Sequence, residues 1–206
     1  MTVYEYDVIV IGTGAAGYNA ACRIKEMGKK TVAIVTEGIN TGTSRNTGSD
    51  KQTYYKLGLG GSSPDSVYSM AENLFAGGSV DGDNALCEAA LSSRCFMYLA
   101  EAGVEFPVNR YGEYVGYKTD HDPYARATSA GPLTSKFMTE ALEKQSKRLC
   151  VDVYDKLLCI EILKKDEKVC GVMCLEKISG ELVAISCGNV VMATGGPAGI
   201  YADSVY

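Results

Sequence analysis

The sequence has few of the features that would place a protein in a membrane or on nucleic acid. Residues 1–7 contain no basic segment, and the apolar run at 8–11 is far too short for a signal peptide or a membrane span. The 25 acidic residues outnumber the 20 lysines and arginines, and the basic pairs are isolated along the chain. The sequence therefore predicts no nucleic-acid partner.

The eight cysteines show no spacing that is typical of a disulfide framework, so the sequence predicts a reducing, cytoplasmic setting. Cys170 and Cys174 come closest to a redox pair, but both fall within one predicted strand. Four residues of a strand span about 13 Å, whereas the Cα atoms of a disulfide lie within about 7 Å of each other. We interpret both cysteines as small buried hydrophobic residues.

Size and composition predict a globular domain with a real core. Of the 206 residues, 46% are hydrophobic and 22% are charged, as in an ordinary soluble protein. We expect one domain over 1–206, with a helical and loop insertion at about 60–150.

Residues 5–37 have the pattern of a strand, a glycine turn, a helix and a second strand. The apolar runs at 7–11 and 31–36 are rich in β-branched residues, which is typical of parallel strands covered on both faces. The helical stretch at 15–27 completes a βαβ unit, which must cross over right-handed.

After residue 37 the sequence predicts a long loop, then helices, and finally antiparallel strands. Residues 38–64 are rich in Gly, Ser, Thr and Asn and predict a long loop. Helices are predicted at three places: 65–76, 83–102 and 132–148. Between the last two we expect a small hairpin at 111–117 and a loop at 119–131. A period of two then predicts antiparallel strands near 156–163, 168–175 and 181–187, followed by a last apolar strand at 189–193.

The strongest motif is Gly12-Thr-Gly14-Ala-Ala-Gly17, which directly follows a predicted strand and opens a helix. Gly12 permits a tight turn, Gly14 lets a pyrophosphate approach the backbone, and Gly17 lets helix and strand pack closely. The first N–H groups of the helix, at Ala15 and Ala16, are free to bind phosphate. Glycine turns also occur for purely structural reasons, but this context predicts a dinucleotide site.

A carboxylate about 20 residues beyond such a turn usually binds the ribose hydroxyls. Glu37 lies at that distance, at the end of the second strand, and Thr36 beside it competes for the same position. The alternative is a solvated carboxylate at a strand end.

A second glycine turn, Ala193-Thr194-Gly195-Gly196, ends the last predicted strand. In an NAD-type fold the crossovers are helical throughout, so the predicted meander argues against a simple NAD domain. The arrangement resembles the glutathione-reductase-like FAD domains, in which a turn of this sequence lies beside the phosphates of the flavin. We expect an α/β fold with a Rossmann-like parallel sheet in the order 3-2-1-4 and an antiparallel β-meander.

Several stretches spread over the whole chain match the pattern of one flavoprotein family. They are Tyr6-Asp-Val-Ile-Val-Ile-Gly-Thr-Gly-Ala-Ala-Gly17, Ala130-Gly131, Cys170-Gly-Val-Met-Cys-Leu175, Ser179-Gly-Glu181, and Ala193-Thr-Gly-Gly196 followed by Gly199-Ile-Tyr201. Together they resemble the flavoproteins of fumarate reductase, succinate dehydrogenase and L-aspartate oxidase. The resemblance implies FAD and an oxidoreductase that passes a hydride between the flavin and a small carboxylic acid. It also implies that backbone groups of Leu158 and Cys159 contact the adenine.

The chain departs from this family where the respiratory members attach FAD through a histidine. The corresponding stretch is Gly42-Thr-Ser-Arg-Asn-Thr-Gly48, in which Ser44 is nearest to the histidine position. We therefore expect FAD to be held without a covalent bond. The polar side chains of this stretch are expected to hydrogen-bond the flavin and its phosphates: Thr43, Ser44, Arg45, Asn46 and Thr47. The alternative is a solvated polar loop.

Members of this family continue beyond the second glycine turn into a capping domain and a last FAD-binding segment. The resemblance places their substrate-binding histidines and arginines there, so we expect no catalytic residue in this fragment and no turnover from it alone. The electron donor or acceptor and any electron-transfer partner stay open. The edge of the sheet left by a missing strand would favour aggregation or a homo-oligomer.

Three other functions are compatible with the sequence: a different flavin-dependent oxidoreductase, a noncatalytic flavin- or dinucleotide-binding module, and a simple NAD domain. A disulfide reductase is disfavoured because residues 38–64 contain no cysteine. The single histidine, His121, lies between Asp120 and Asp122. One histidine and two adjacent carboxylates on a loop are usually solvated, so we predict no metal site. Arg126 nearby is interpreted as a surface or phosphate-contact residue.

Overall fold

The computed structural model describes residues 3–28, 30–58, 64–119, 122, 124–196, 199 and 201–203. The chain divides into two compact units. The first consists of Met1–Thr47 and Leu142–Tyr206, and the second of Gly48–Ala141. The N- and C-terminal parts of the chain therefore fold together.

The described residues form five helices and eight strands. The helices are α1 (Ala15–Met27), α2 (Thr43–Asn46), α3 (Val67–Ala76), α4 (Gly82–Glu101) and α5 (Thr134–Arg148). The strands are β1 (Val3–Ile11), β2 (Val32–Val35), β3 (Tyr54–Tyr55), β4 (Ala127–Thr128), β5 (Asp152–Tyr154), β6 (Leu157–Lys165), β7 (Lys168–Glu176) and β8 (Leu182–Met192). The four longer helices end within two residues of the predicted bounds. None of the helices that the structure describes combines the length and the apolar character needed to cross a bilayer.

One six-stranded sheet forms the centre of the first unit, in the order β5-β2-β1-β8-β7-β6. The strands β5, β2, β1 and β8 pair in parallel, and β8, β7 and β6 pair antiparallel. Counted along the chain, the parallel strands lie in the order third, second, first, fourth. The fold is thus α/β, with a largely parallel sheet extended by antiparallel strands.

Strand β8 corrects the predicted end of the meander. The sequence predicts one strand at 181–187 and another at 189–193, whereas Leu182–Met192 is a single strand. Gly188 and Asn189 disfavour strand structure by propensity. Pairing with β1 on both sides of Gly188, at Cys187 and at Asn189, keeps the strand continuous. The same strand therefore closes the meander and provides the fourth parallel strand.

The sequence does not predict β5, because three residues carry too little pattern to indicate a strand. It is held by parallel pairing of Asp152 with Ala33 and of Tyr154 with Val35. This strand therefore forms because the chain that follows α5 lies beside β2.

Apolar side chains on β1, β2, β7 and β8 form the core of the first unit. Its fully buried members include Ile9, Ala33, Val35, Val172 and Ile185. All four residues of β2 are buried, as expected of a parallel strand covered on both faces. Burying each larger side chain stabilises the fold by about 1.5–3 kcal/mol.

The second unit contains α3, α4 and the antiparallel pair β3-β4. Each helix begins with a side-chain cap. Ser66 accepts a hydrogen bond from the Ser69 N–H, and Asp81 accepts one from the Asn84 N–H, both at 3.0 Å. The two short strands lie within stretches that the sequence predicts as loops, because two residues are too few to show a period.

Arg126 is a fully buried cation of the second unit, not a surface or phosphate-contact residue. Its guanidinium donates hydrogen bonds to both carboxylate oxygens of Asp65, at 2.9 and 2.6 Å. It also donates to Tyr55 Oη at 3.0 Å and to Asn73 Oδ1 at 2.8 Å, and Asp122 Oδ1 lies 3.6 Å away. The hydrogen bonds from Arg126 hold the pKa of Asp65 below its usual value. These contacts explain how a charge can be buried there.

Replacing Arg126 with methionine keeps the length of the side chain and removes the cation. Because Asp65 and Asp122 would lose their positive partner, we expect the free energy of unfolding to fall by about 3–5 kcal/mol. Urea denaturation followed by circular dichroism measures this loss. The matched control is Arg94→Met at an exposed position of α4, which should change stability by less than about 0.5 kcal/mol. Equal effects of the two substitutions would contradict a stabilising role of the buried cluster.

Candidate functional site: a cleft at the carboxyl edge of the sheet

The segments that follow β1 and β8 meet at the carboxyl edge of the sheet. The Gly12 N–H donates to Val35 O, and the Ala193 N–H donates to Ile11 O, both at 2.9 Å. These bonds hold the turn between β1 and α1 against the end of β2 and beside the second glycine turn. In open α/β sheets this edge is where ligands bind.

Two glycines of the first motif make contacts that a side chain would prevent. Gly12 has a φ of +109°, and a Cβ there would lie 2.4 Å from Ala193 O. A Cβ on Gly17 would lie 1.9 Å from Gly12 O. The glycine turn between β1 and α1 therefore packs directly against the end of β8. The first helical turn of α1 packs directly against that glycine turn.

Gly14 has a different role from its two neighbours in the motif. Its φ of −72° suits any residue, so the backbone does not require glycine. The nearest atom to a Cβ at this position would be Ser44 Oγ, at 3.5 Å. The missing side chain thus leaves a cradle at the start of α1, which fits the close approach of a phosphate to the backbone.

The start of α1 is suited to bind an anion. Gly14 is the N-cap and has no side chain to cap the helix, and the first turn carries no acidic residue. The first N–H groups of a helix lack acceptors within the helix, and the helix dipole adds a partial positive charge there. A diphosphate would accept hydrogen bonds from these N–H groups, and its negative charge would interact favourably with the dipole.

A cleft of about 580 Å³ opens between these turns within the first unit. It is bordered by the ends of β1, β2 and β8, by residues 41–44 and by the start of β6. The predicted cofactor residues that line it are Gly12, Gly14, Ala15, Ala16, Thr36, Glu37, Thr43, Ser44, Leu158, Cys159, Ala193, Thr194, Gly195 and Gly196. The fold thus brings together residues that are more than 180 positions apart in the sequence.

Thr36 and Glu37 are distinguished by their surroundings. Thr36 is buried, and its hydroxyl lies 3.0 Å from Thr13 Oγ1 and 3.1 Å from Gly38 O, to which it donates. Glu37 is exposed at the rim, where Lys177 Nζ lies 3.3 Å from its carboxylate. The threonine therefore holds the turn, and the carboxylate is the group that faces solvent and the cleft.

The start of β6 lies beside the end of β2. The Leu157 N–H donates to Thr36 O at 2.9 Å, which positions Leu158 and Cys159 on the side wall of the cleft. This is the wall on which the family resemblance places the adenine contacts.

Four predicted cofactor residues do not line the cleft: Gly17, Arg45, Asn46 and Thr47. The last two side chains form hydrogen bonds within their own loop. Asn46 Nδ2 donates to Asn40 O at 2.8 Å, and Thr47 Oγ1 donates to Thr43 O at 2.8 Å. These two bonds help to hold the loop together.

Arg45 forms an ion pair with Glu143 of α5, and both side chains are largely buried. Burial alone would raise the pKa of Glu143, but hydrogen bonds from Lys147 and Arg45 hold it below its usual value. Arg45 therefore fixes the loop to α5 and does not reach into the cleft.

Three polar or glycine positions of the cleft are missing from the sequence-based set: Thr13, Thr41 and Gly42. Thr13 stands inside the first motif, at a position where the motif allows any residue, so its buried bond to Thr36 carries no sequence signal. Thr41 Oγ1 donates to Gly38 O at 2.6 Å, and Gly42 has a φ of +93°. Both shape the loop that covers the cleft.

Asp120 and His121 lie outside the described residues. Within the part of the chain that the structure describes, no group of three or more His, Cys, Asp and Glu side chains could hold a metal ion.

The sequence model of a family described as FAD binding domain matches residues 7–205. The chain therefore belongs to this family of FAD-binding domains. The family is one of FAD-dependent oxidoreductases, and the cofactor of this chain is FAD.

The similar proteins are flavoprotein chains of fumarate reductases and related enzymes. One chain of the fumarate reductase (CoM/CoB) of Methanothermobacter marburgensis is 27% identical over 201 residues, which is 97% of this chain and 36% of that protein. The FrdA chain of a mutant Escherichia coli quinol fumarate reductase superposes with a TM-score of 0.87 at 20% identity, over 98% of this chain and 34% of that one. Mycobacterium smegmatis Sdh1 superposes with a TM-score of 0.85 at 21% identity, over 96% of this chain and 35% of that one.

These relatives support the fold, and they are much longer. The chain spans about a third of the length of each. At 20–21% identity the two solved structures show a shared fold and not a shared substrate.

Adding a methyl group should change the stability of the protein very differently at the two kinds of glycine in the first motif. Gly17→Ala would place its Cβ 1.9 Å from Gly12 O, and overpacking of this kind should cost about 1–3 kcal/mol or more. Gly14→Ala would place its Cβ 3.5 Å from Ser44 Oγ and should change stability by less than about 0.5 kcal/mol. Urea denaturation of both variants without cofactor measures the difference. Equal losses would contradict the separate roles of Gly14 and Gly17.

Proposed function

We propose that the cleft binds FAD through its adenosine diphosphate part. The observation that carries the proposal is the contrast between Gly12 and Gly14. Gly12 joins the first turn to the end of β8 by backbone contact, while Gly14 leaves open space at an uncapped helix start. A diphosphate fits this arrangement because it needs N–H donors and no side chain in its way.

Backbone groups from both glycine turns would hold the diphosphate. The N–H groups of Ala15 and Ala16 lie in the first turn of α1. Gly195, with a φ of +79°, and Gly196 form the turn on the opposite side. The hydroxyls of Thr43 and Ser44 stand over the cleft and would add hydrogen bonds.

The ribose would bind to Glu37, whose carboxylate accepts hydrogen bonds from its hydroxyls. The pair with Lys177 is exposed and worth roughly 0–1 kcal/mol, so a ribose hydroxyl can share or displace it. Thr36 supports this position through its bonds to Thr13 and Gly38. The adenine would lie against the backbone of Leu158 and Cys159 on the side wall.

The cofactor would be held without a covalent bond. No histidine stands between residues 38 and 64, and the residue nearest to the family's attachment position, Ser44, offers a hydroxyl toward the cleft. Binding then rests on hydrogen bonds to the diphosphate and on packing of the adenosine.

The whole protein would be an oxidoreductase that passes a hydride between the flavin and a small carboxylic acid. Bound FAD supplies the hydride chemistry, and this chain supplies binding and orientation. Two of the similar proteins are fumarate reductases, which supports a dicarboxylic acid as substrate. The name of one specifies CoM/CoB and the name of the other specifies quinol. The whole protein would therefore exchange electrons with a partner of one of these kinds. The cysteine spacing, which is not typical of a disulfide framework, supports a reducing, cytoplasmic setting.

Gly14→Val tests the position of the diphosphate. A valine would fill the cradle at the start of α1, so we expect FAD affinity to fall more than about tenfold, or about 1.4 kcal/mol. Titration followed by quenching of flavin fluorescence measures it. The matched control is Gly188→Val in β8, where an added Cβ meets no atom within 4 Å and the position does not line the cleft. Unchanged affinity of a folded Gly14→Val variant would place the phosphates elsewhere.

Acid denaturation tests the absence of a covalent bond. Because hydrogen bonds and packing are lost on unfolding, we expect all yellow colour to remain in the supernatant when the FAD-loaded protein is precipitated with trichloroacetic acid. Absorbance of the supernatant at the flavin bands measures the released fraction. Flavin fluorescence on the protein band of a denaturing gel would contradict the prediction.

A further inference from the structure

The β6-β7 hairpin places two cysteines directly opposite each other. Cys159 of β6 pairs with Cys174 of β7 in the antiparallel register, and both are free thiols. Directly opposed residues have Cβ atoms about 4.5–5.5 Å apart. A disulfide needs about 3.5–4.5 Å, so a small closure of the hairpin would join them.

An irregularity of the hairpin lies next to this pair. The register shifts between Cys159 and Glu161, as at a β-bulge. Bulges redirect a side chain and loosen the ladder locally. The backbone beside Cys159 can therefore adjust more easily than a regular strand could.

The two thiols differ in access. Cys174 is 0% exposed and belongs to the core of the first unit. Cys159 is partly exposed and lines the cleft. The Cys159 side chain also packs against that core. Of the two thiols, Cys159 is therefore the one that a small molecule in the cleft can approach.

The two thiols also differ in their affinity for a proton. The neighbouring Cys174 thiol lowers the pKa of the Cys159 thiol, and Cys159 Sγ also lies 3.7 Å from Glu161 O. The proximity of Cys159, together with burial, raises the pKa of Cys174. The accessible sulfur is therefore the better thiolate, and thiolates are the nucleophiles of disulfide exchange. An accessible, acidic thiol beside a second cysteine is the usual layout of a redox-sensing pair.

We propose that Cys159 and Cys174 form a thiol–disulfide switch on the wall of the cleft, oxidised by small-molecule disulfides only while the cleft is free of dinucleotide. The protection by dinucleotide rests on the proposed function, in which the adenosine end of FAD covers Cys159. The formation of the disulfide does not depend on it.

The reaction balances as two exchanges. The Cys159 thiolate attacks one sulfur of a small disulfide, forms a mixed disulfide and releases the first small thiolate. Cys174 then loses its proton and its sulfur attacks the Cys159 sulfur, which releases the second small thiolate. The two small thiolates take up the two protons that Cys159 and Cys174 have lost. Two protein thiols are oxidised, and the small disulfide is reduced to two thiols.

Oxidised glutathione tests the pair directly. The purified chain without cofactor is incubated with it, the free thiols are alkylated, and peptide mass spectrometry locates the bonds. We expect one intramolecular Cys159–Cys174 disulfide and a mass loss of two hydrogen atoms. Cys174→Ser should stop at a stable mixed disulfide on Cys159, because the second thiol is missing. The control Cys170→Ser changes an exposed cysteine of the same strand and should still form the disulfide.

Cofactor protection is measured on the same samples. With FAD at 100 times its Kd, the rate of Cys159 oxidation should fall about a hundredfold if only the free protein reacts. Flavin fluorescence reports binding independently. Binding without protection would overturn the protective role of the dinucleotide. Failure of FAD to bind would count against the proposed function, while the cofactor-free reaction still decides the switch.

Two other results would overturn the switch itself. One is oxidation that falls on the exposed Cys87, Cys150 or Cys170 and spares Cys159. The other is a wild-type chain that ends as a mixed disulfide at Cys159. The rate of Cys159 alkylation by iodoacetamide, measured as a function of pH, gives a further test. A purely structural role of the pair would not change this pH dependence. Cys174→Ala removes the neighbouring thiol and should shift the Cys159 profile to higher pH, whereas Cys174→Ser keeps a polar hydrogen there and should shift it less.

Discussion

The direct backbone contact between the first glycine turn and the end of β8 is the constraint on which the cleft depends. No Cβ fits between Gly12 and Ala193 O, and none fits between Gly17 and the Gly12 carbonyl. Strand β1, the turn, α1 and the end of β8 are therefore brought to their closest possible approach. This approach places an uncapped helix start and a second glycine turn at the same cleft. The geometry of the proposed phosphate site therefore follows from packing.

Several polar side chains in and near the cleft form hydrogen bonds or ion pairs that hold its loops in place. Arg45 is paired with Glu143, Asn46 binds carbonyls of its own loop, and Thr36 is bonded to Thr13. In the proposed site, a diphosphate would be bound mainly by backbone N–H groups, whose positions depend on the strands that carry them. A site of this kind tolerates changes of side chain in the loop better than changes of a glycine that alter the backbone path.

The cysteines show why spacing along the chain is a poor guide within a sheet. Cys170 and Cys174 are separated by four residues of one strand, and the structure leaves Cys170 exposed and buries Cys174. The neighbour of Cys174 is Cys159, which lies 15 positions earlier in the sequence and directly across the hairpin. In a sheet, close side chains belong to adjacent strands, so register decides which thiols meet.

The sequence by itself determined the elements whose signals are local. The strands β1 and β2, the helix α1, the glycine motif and the β6-β7 hairpin all follow from periodicity and turn residues, and the family pattern adds FAD. Only the tertiary structure decided the short strand β5, the continuity of β8 across Gly188, the burial of Arg126 and the partner of Arg45. In each of these cases the deciding contact joins residues far apart in the chain. The free energy that fixes them comes from pairing and burial, which a single stretch of sequence does not contain.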